Sequence, residues 1–213
     1  MTDREETPRG AGVQLALATA AFTLCFYAWS LLGPLSPDLR EELGLSEVQN
    51  SAMVAIPVLM GSLARIPFGW LADRFGGRRV FLALLAFTPL PVVALALWHD
   101  ALAPIYLFGF FLGFAGSSFA IGIPFVNRWY PPARQGFALG VYGMGMGGTT
   151  IAGLTAPRIA DEWGLAAPFW FAAILVGLVL IAWFALAREA PRAERTGPAP
   201  GMFSSLAVFK TSG

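Results

Sequence analysis

The sequence predicts an all-α membrane protein of six spanning helices, and three observations carry that prediction. Its 213 residues are 56% hydrophobic and only 13% charged, whereas soluble domains run at about 45–50% apolar and about 25% charged. Uncharged apolar runs of the length that crosses ~30 Å of hydrocarbon, about 20 residues, recur six times. Lysine and arginine gather in alternate breaks between those runs, as they do in loops retained on the cytoplasmic side.

Residues 1–11 are polar, with Arg4 and Arg9 set against Asp3, Glu5 and Glu6, and read as a cytoplasmic amino-terminal tail. A cleaved leader has an apolar core of about 7–15 residues ending at small residues. The run after this tail continues past Trp29, so it reads as a retained first span over 12–33. Further spans follow at 47–71, 78–98, 102–127, 135–157 and 166–187, completing a six-helix transmembrane bundle over 12–187. Turn residues punctuate them: Gly33-Pro34 with Pro37, Gly76-Gly77, His99-Asp100, Pro131-Pro132 and Trp163-Gly164. A membrane β-barrel would instead show ten-residue alternating segments. Residues 188–213 read as a cytoplasmic linker, rich in Pro, Gly, Ala and Arg over 190–201. The short apolar stretch Met202–Lys210 after it is either an interfacial segment or the start of a seventh helix.

Eleven basic residues fall on one side (Arg4, Arg9, Arg74, Arg78, Arg79, Arg128, Arg134, Arg188, Arg192, Arg195 and Lys210) and two on the other (Arg40 and Arg158). That excess predicts cytoplasmic termini and places the acidic loop of Asp38, Glu41, Glu42 and Glu47 outside. Trp98, Trp129, Tyr130 and Trp163 sit near span ends, as an interfacial aromatic belt requires.

Several functions have no support. A net charge of +1 gives no reason to expect a nucleic-acid partner. Cys25, the single cysteine, lies in an apolar run and reads as core filler; His99 reads as a loop residue. Neither a metal-ligand cluster nor a serine–histidine–acid set is present, and the glycines of 143–148 lack the Lys-Ser/Thr of a phosphate loop. No enzyme activity, cofactor or metal is expected.

Residues 69–79 read Gly-Trp-Leu-Ala-Asp-Arg-Phe-Gly-Gly-Arg-Arg. The glycines permit a tight turn and close helix approach, and Asp73 is placed to cap a helix or to pair with a neighbouring arginine. This segment resembles the signature of the major facilitator superfamily in its first short cytoplasmic loop. The resemblance implies an amino-terminal six-helix bundle built as a three-plus-three inverted repeat, though no such repeat is visible in the sequence itself. It also implies a gating role for Gly69, Asp73, Arg74, Gly76, Arg78 and Arg79 in closing the cytoplasmic side.

Arg65 is the one charged residue well inside a span. Burying an arginine there costs at least ~2.5–3.5 kcal/mol, which marks it as functional. Eight residues, about 12 Å of helix, separate it from Asp73, so snorkelling lessens that cost without removing it. A planar guanidinium suits bidentate binding of an oxyanion. No Asp or Glu lies deep in any span, which favours an anionic substrate over a cation.

The fourth span carries Gly113-Phe-Ala-Gly-Ser-Ser-Phe-Ala-Ile-Gly122. The fifth carries Ala138-Leu-Gly-Val-Tyr-Gly-Met-Gly-Met-Gly-Gly-Thr149, and the same span reaches Ala156-Pro157. With Arg65, these segments are similar to the nitrate/nitrite porter family over nearly the whole chain. The resemblance implies a small anionic substrate gripped by Arg65, with Ser118, Tyr142, Gly145 and Thr149 around it. Two departures stand out: Met146 occupies the place of an asparagine in the family's glycine signature, and the family's second arginine and second signature, from its carboxy-terminal six helices, are not in these 213 residues.

Met146 removes a hydrogen-bonding side chain, so either Ser118, Asn127, Thr149 or Thr150 compensates or the substrate is not nitrate. A complementary six-helix half or a homodimer is the expected protein partner, alongside the lipid bilayer. Facilitation of another small anion or neutral solute, or an inactive truncated fragment, remain as alternatives. The glycine run also reads as packing, with Gly136 and Gly140, then Gly143 and Gly147, four apart on one helix face.

Overall fold

The structure, a computed structural model, describes residues 7–190; most of the linker and the stretch Met202–Lys210 lie outside the described residues. Ala11–Ser30 (α1) is followed by a short helix, Ser36–Leu43 (α2), and by Glu47–Phe75 (α3). The third rod is Gly77–Phe87 (α4) with Pro89–Leu97 (α5), jogged at Thr88. The fourth is Leu102–Leu112 (α6), a 3-10 turn at Gly113–Ser117 and Ser118–Asn127 (α7). Pro132–Gly143 (α8), a 3-10 turn at Met144–Met146 and Gly147–Trp163 (α9) make the fifth, and Ala167–Leu186 (α10) the sixth.

Five of these rods are long and apolar enough to cross a membrane: Ala11–Ser30, Glu47–Phe75, Gly77–Leu97, Leu102–Asn127 and Ala167–Leu186. The rod of 132–163, rich in glycine and threonine, is not in that set, although it was expected as a span over 135–157. It extends beyond the expected bounds at both ends because Pro132 is well placed in a first helical turn and Gly164, at φ 85, ends the helix.

Two further boundaries differ from expectation. The break at 34–46 contains α2, which Pro37 starts and Gly44 stops in a left-handed conformation (φ 61). The loop expected between the second and third spans is almost absent. Helix α3 runs through Asp73 and Arg74 to Phe75, and Gly76 alone, at φ 91, turns the chain into α4. A side chain rarely adopts that φ, so this reversal depends on glycine. The second span was expected from residue 47 and α3 starts there, where Ser46 and Gln49 form a reciprocal capping box at 3.3 and 2.9 Å.

Helix α1 is the hub, packed against α7, α8, α9 and α10 through Ala18, Ala21, Phe22, Cys25 and Ala28. Trp183 of α10 lies fully buried between Phe81 of α4 (ring centroids 4.7 Å) and Phe125 of α7 (5.2 Å). The faces left open are apolar: Leu59, Leu63 and Ile66 on α3, and Ile174, Leu178, Ile181 and Phe184 on α10. In water such faces would drive aggregation, whereas lipid tails or the apolar surface of another membrane helix suit them.

Buried Gln14 spends both ends of its amide on the chain leaving α10. Its Nε2 donates to the Leu186 carbonyl at 3.0 Å and its Oε1 accepts from the Arg188 N–H at 2.9 Å. Replacing it by alanine orphans one donor and one acceptor at a helix end, where each costs about 1–3 kcal/mol. Gln14→Ala is therefore expected to lower the melting temperature of the detergent-solubilised chain by several degrees, while Gln14→Glu, which keeps the acceptor for Arg188, loses less.

Candidate functional site

Arg65 sits half-buried in the middle of α3, eight residues after Pro57 and two before Pro67. Its Nε donates to the Gly116 carbonyl in the 3-10 turn of the fourth rod at 3.4 Å. Its guanidinium lies 5.8 Å from the centre of the Phe119 ring, within the range of a cation–π attraction. No carboxylate pairs with it among the described residues. Both Nη groups, the part of the fork that binds an oxyanion, therefore stay uncommitted.

Aromatic packing carries the site across the bundle. Phe119 is 5.7 Å from Phe22 of α1, and Phe22 stacks on Tyr142 of α8 at 4.8 Å. Arg65 and Tyr142 are thus joined through two rings, not by contact. Tyr142 is fully buried and its hydroxyl donates to the Ser118 carbonyl at 2.7 Å. Gly122 makes room for that phenol, since a Cβ there would lie 2.0 Å from the hydroxyl oxygen.

Ser118 is buried, its hydroxyl facing the Cys25 thiol, a weak partner, with no other hydrogen bond. Gly145 packs flat on Phe22, where a Cβ would come within 2.3 Å of the ring. Thr149 turns its hydroxyl back onto the Met146 carbonyl at 3.0 Å. Of the residues expected around the anion, Arg65 presents uncommitted hydrogen-bond donors from a side chain that is only half-buried, whereas the Ser118 hydroxyl is fully enclosed; Tyr142, Ser118 and Gly145 pack the interior. Phe119 is the site residue that sequence reasoning missed. As one of 18 phenylalanines, it carried no signal beyond its place after two serines.

The glycine packing stripe requires correction. Among the described residues, an added Cβ would meet nothing within 4 Å at Gly136, Gly140, Gly143 or Gly147. The close approach to α1 is made instead by Gly145 and Gly148, three apart, because the 3-10 turn at Met144–Met146 winds the contact face away from the four-residue spacing of a continuous helix.

At the arginine-rich end, Arg128 just past α7 lies between two carboxylates, Asp73 at 3.9 Å and Glu189 at 3.4 Å. Gly76 fits beneath Glu189, whose carboxylate a Cβ would meet at 3.0 Å. Arg78 ties α4 to the end of α10, donating from Nε to the Ala187 carbonyl at 2.6 Å, while Trp183 Nε1 donates to the Arg78 carbonyl at 3.1 Å. Arg74 stacks over Trp70 (5.0 Å) and Phe75 (5.5 Å), Arg79 is exposed, and Gly69 lies within the helix beside Ala120. Sequence reasoning did not foresee Arg128 and Glu189 as partners of the Asp73 turn, which are 55 and 116 residues from it. At the opposite end a hollow is lined by Asp38, Glu41, Glu42 and Asp161 with Ala160 and Leu165, a charge that repels anions.

A multi-pass helical bundle, with a mid-rod arginine clear of carboxylates among the described residues and a basic turn at one end, defines the class as a polytopic helical membrane protein. The chain belongs to the Major Facilitator Superfamily, whose profile matches residues 18–212. It is 42% identical over 185 residues to the Mycobacterium tuberculosis protein named "Probable nitrate/nitrite transporter NarK2", covering 86% of this chain and 47% of that one. It is 37% identical over 206 residues to the Thermus thermophilus "Probable nitrate/nitrite antiporter NarK1", with coverage of 90% and 46%.

The chain thus spans about half the length of the curated relatives it matches. Among solved structures, a bacterial homologue of the lysosomal transporter Spinster superposes with a TM-score of 0.71 at 18% identity, covering 90% of this chain and 47% of that one. The xylose transporter XylE from E. coli gives 0.69 at 16%, with coverage of 94% and 55%. At such identities these two matches speak for the fold alone.

Proposed function

We propose that this bundle forms one wall of a transport pathway for a small anion, nitrate or nitrite, with Arg65 as the group that holds it. The observation that carries the reading is Arg65 itself: half-buried, without a carboxylate partner among the described residues, backed by Phe119 and anchored only through Nε. Relatives named for nitrate and nitrite support the choice of anion. The bundle exposes the anion alternately to each side by rocking against a complementary six-helix half or a second copy. The open apolar face of α3, Leu59, Leu63 and Ile66, is available for that contact. The termini face the cytoplasm, as the excess of arginine at the Asp73 end supports.

Reconstitution in liposomes tests this. Nitrate or nitrite uptake by the chain, alone or co-reconstituted with a complementary half, is the expected result. Absence of both uptake and Arg65-dependent anion binding overturns it. Met146, an apolar residue at the place where the glycine signature that this span resembles would hold an asparagine, favours a second reading, another small anion. Competition by cyanate or formate where nitrate fails selects it.

The Asp73–Arg128–Glu189 cluster serves as the gate on the cytoplasmic side. All three side chains are partly exposed, so their pairs contribute about 0–1 kcal/mol to stability. Arg128→Gln is expected to leave the melting temperature nearly unchanged yet to alter uptake about fivefold, since ~1 kcal/mol shifts a two-state balance by that factor. Unchanged uptake removes the gate assignment.

A further inference from the structure

Resting on the anion-transport reading, we propose that the Gly116 carbonyl is a positioning group. Presented by the 3-10 turn of 113–117, it fixes the Arg65 fork by its Nε and makes the site selective for planar oxyanions over spherical ones. A guanidinium has two usable edges, and which one meets the ligand depends on what occupies the other. Here Nε is occupied by Gly116 and neither Nη has a partner among the described residues, so the edge left for ligand is the Nη pair. Two parallel N–H donors match two oxygens of a trigonal anion, a geometry that a halide does not reward.

The carbonyl reaches Arg65 because α3 and the fourth rod touch backbone to backbone. A Cβ on Gly61 would lie 3.0 Å from the Gly113 carbonyl and 2.9 Å from Trp29 Nε1. One on Gly113 would lie 2.5 Å from Met60 Cβ, and one on Gly116 would lie 3.1 Å from Gly61 Cα and 3.0 Å from the Trp29 ring. Trp29 bridges the crossing and is itself pinned, with Nε1 donating to the Pro57 carbonyl at 2.9 Å. The 3-10 turn closes with Ser117 Oγ donating to the Phe114 carbonyl at 2.6 Å. Three glycines and an indole therefore set how far the Gly116 oxygen stands from α3, and so how the fork is turned. The 3.0–3.1 Å contacts at Gly116 are tight enough that alanine shifts the turn by a few tenths of an ångström without excluding the fold.

The test is anion binding by the full chain in detergent, followed by tryptophan fluorescence, with nitrate, nitrite and formate as planar probes and bromide as the spherical one. Gly116→Ala is expected to weaken nitrate about tenfold, the equivalent of one charge-assisted hydrogen bond bent off axis, and bromide less than about twofold. In an Arg65→Gln background the Gly116→Ala effect on nitrate should vanish, while its effect on melting temperature persists. Arg65→Lys keeps the charge and lacks the Nε donor, so it should erase the preference for nitrate over bromide even if Gly116→Ala misfolds.

Equal weakening of nitrate and bromide in Gly116→Ala overturns the proposal. So does retained selectivity in Arg65→Lys, or a wild type that prefers bromide to every planar anion. If nitrate and nitrite fail while formate binds through Arg65 with the same selectivity pattern, the nitrate reading falls and the positioning role stands.

Discussion

Arg65→Ala is expected to abolish nitrate and nitrite binding, by about 100-fold or more, while leaving the bundle as stable as before or more so. Hydrogen bonds from a charged donor are worth about 1.5–3 kcal/mol each, and a two-donor grip therefore accounts for roughly 100-fold or more in affinity. The fold loses little, because among the described residues Arg65 makes one long hydrogen bond, 3.4 Å to Gly116, and one cation–π contact at 5.8 Å. Removing an unpaired charge from within a span relieves at least ~2.5 kcal/mol of insertion cost. A structural arginine would give the opposite pair of results, a destabilised protein with binding reduced only in proportion to the folded fraction. The measurement is a melting curve and a nitrate titration on the same preparation. Normal affinity in Arg65→Ala ends the assignment.

The parts of this molecule that were legible in its sequence share one property: their signals are local. Span length, the turn at Gly76 and the exceptional cost of a charge at position 65 each depend on a few neighbouring residues and on the solvent around them. What was not legible depends on where a rod changes pitch. Both 3-10 turns, 113–117 and 144–146, fall inside runs that read as continuous helix. A change from 3.6 to 3.0 residues per turn rotates every later side chain relative to the earlier ones. That rotation is why Gly148, beyond the second turn, comes down on α1 three residues after Gly145, while Gly136, Gly140, Gly143 and Gly147 meet nothing within 4 Å among the described residues although their spacing suits a packing stripe. Phe119 and Arg128 escaped for a related reason. Their significance lies in partners 54 and 55 residues away, Arg65 and Asp73, that only the packed bundle brings near.

The same rotation gives the largest expected effect on stability. Gly148 lies so close to α1 that a Cβ would sit 2.0 Å from the Thr23 carbonyl oxygen and 2.9 Å from the Tyr27 nitrogen, both backbone atoms. No side-chain adjustment relieves that clash, so α9 must move off α1. Overpacking of this kind costs typically ~1–3 kcal/mol where side chains can adapt, and more is expected where backbone atoms must separate. The Tyr27–Thr155 hydrogen bond that joins the same two helices, 3.1 Å, would be strained along with it.

Gly148→Ala is therefore expected to lower expression and melting temperature sharply, by about 3 kcal/mol or more in stability. Gly147→Ala and Gly140→Ala, which meet nothing within 4 Å, should be neutral or slightly stabilising through helix propensity, by up to about 1 kcal/mol. Gly145→Ala belongs between them, because its obstacle is the Phe22 ring at 2.3 Å, which has limited freedom to turn between Phe26 at 4.4 Å and Tyr142 at 4.8 Å. Melting curves of the four variants in one detergent give the order. If Gly148→Ala melted with wild type while Gly140→Ala or Gly147→Ala collapsed, the packing face would be the four-residue stripe after all, and the 3-10 turn at Met144–Met146 would not be what sets the register of α9 against α1.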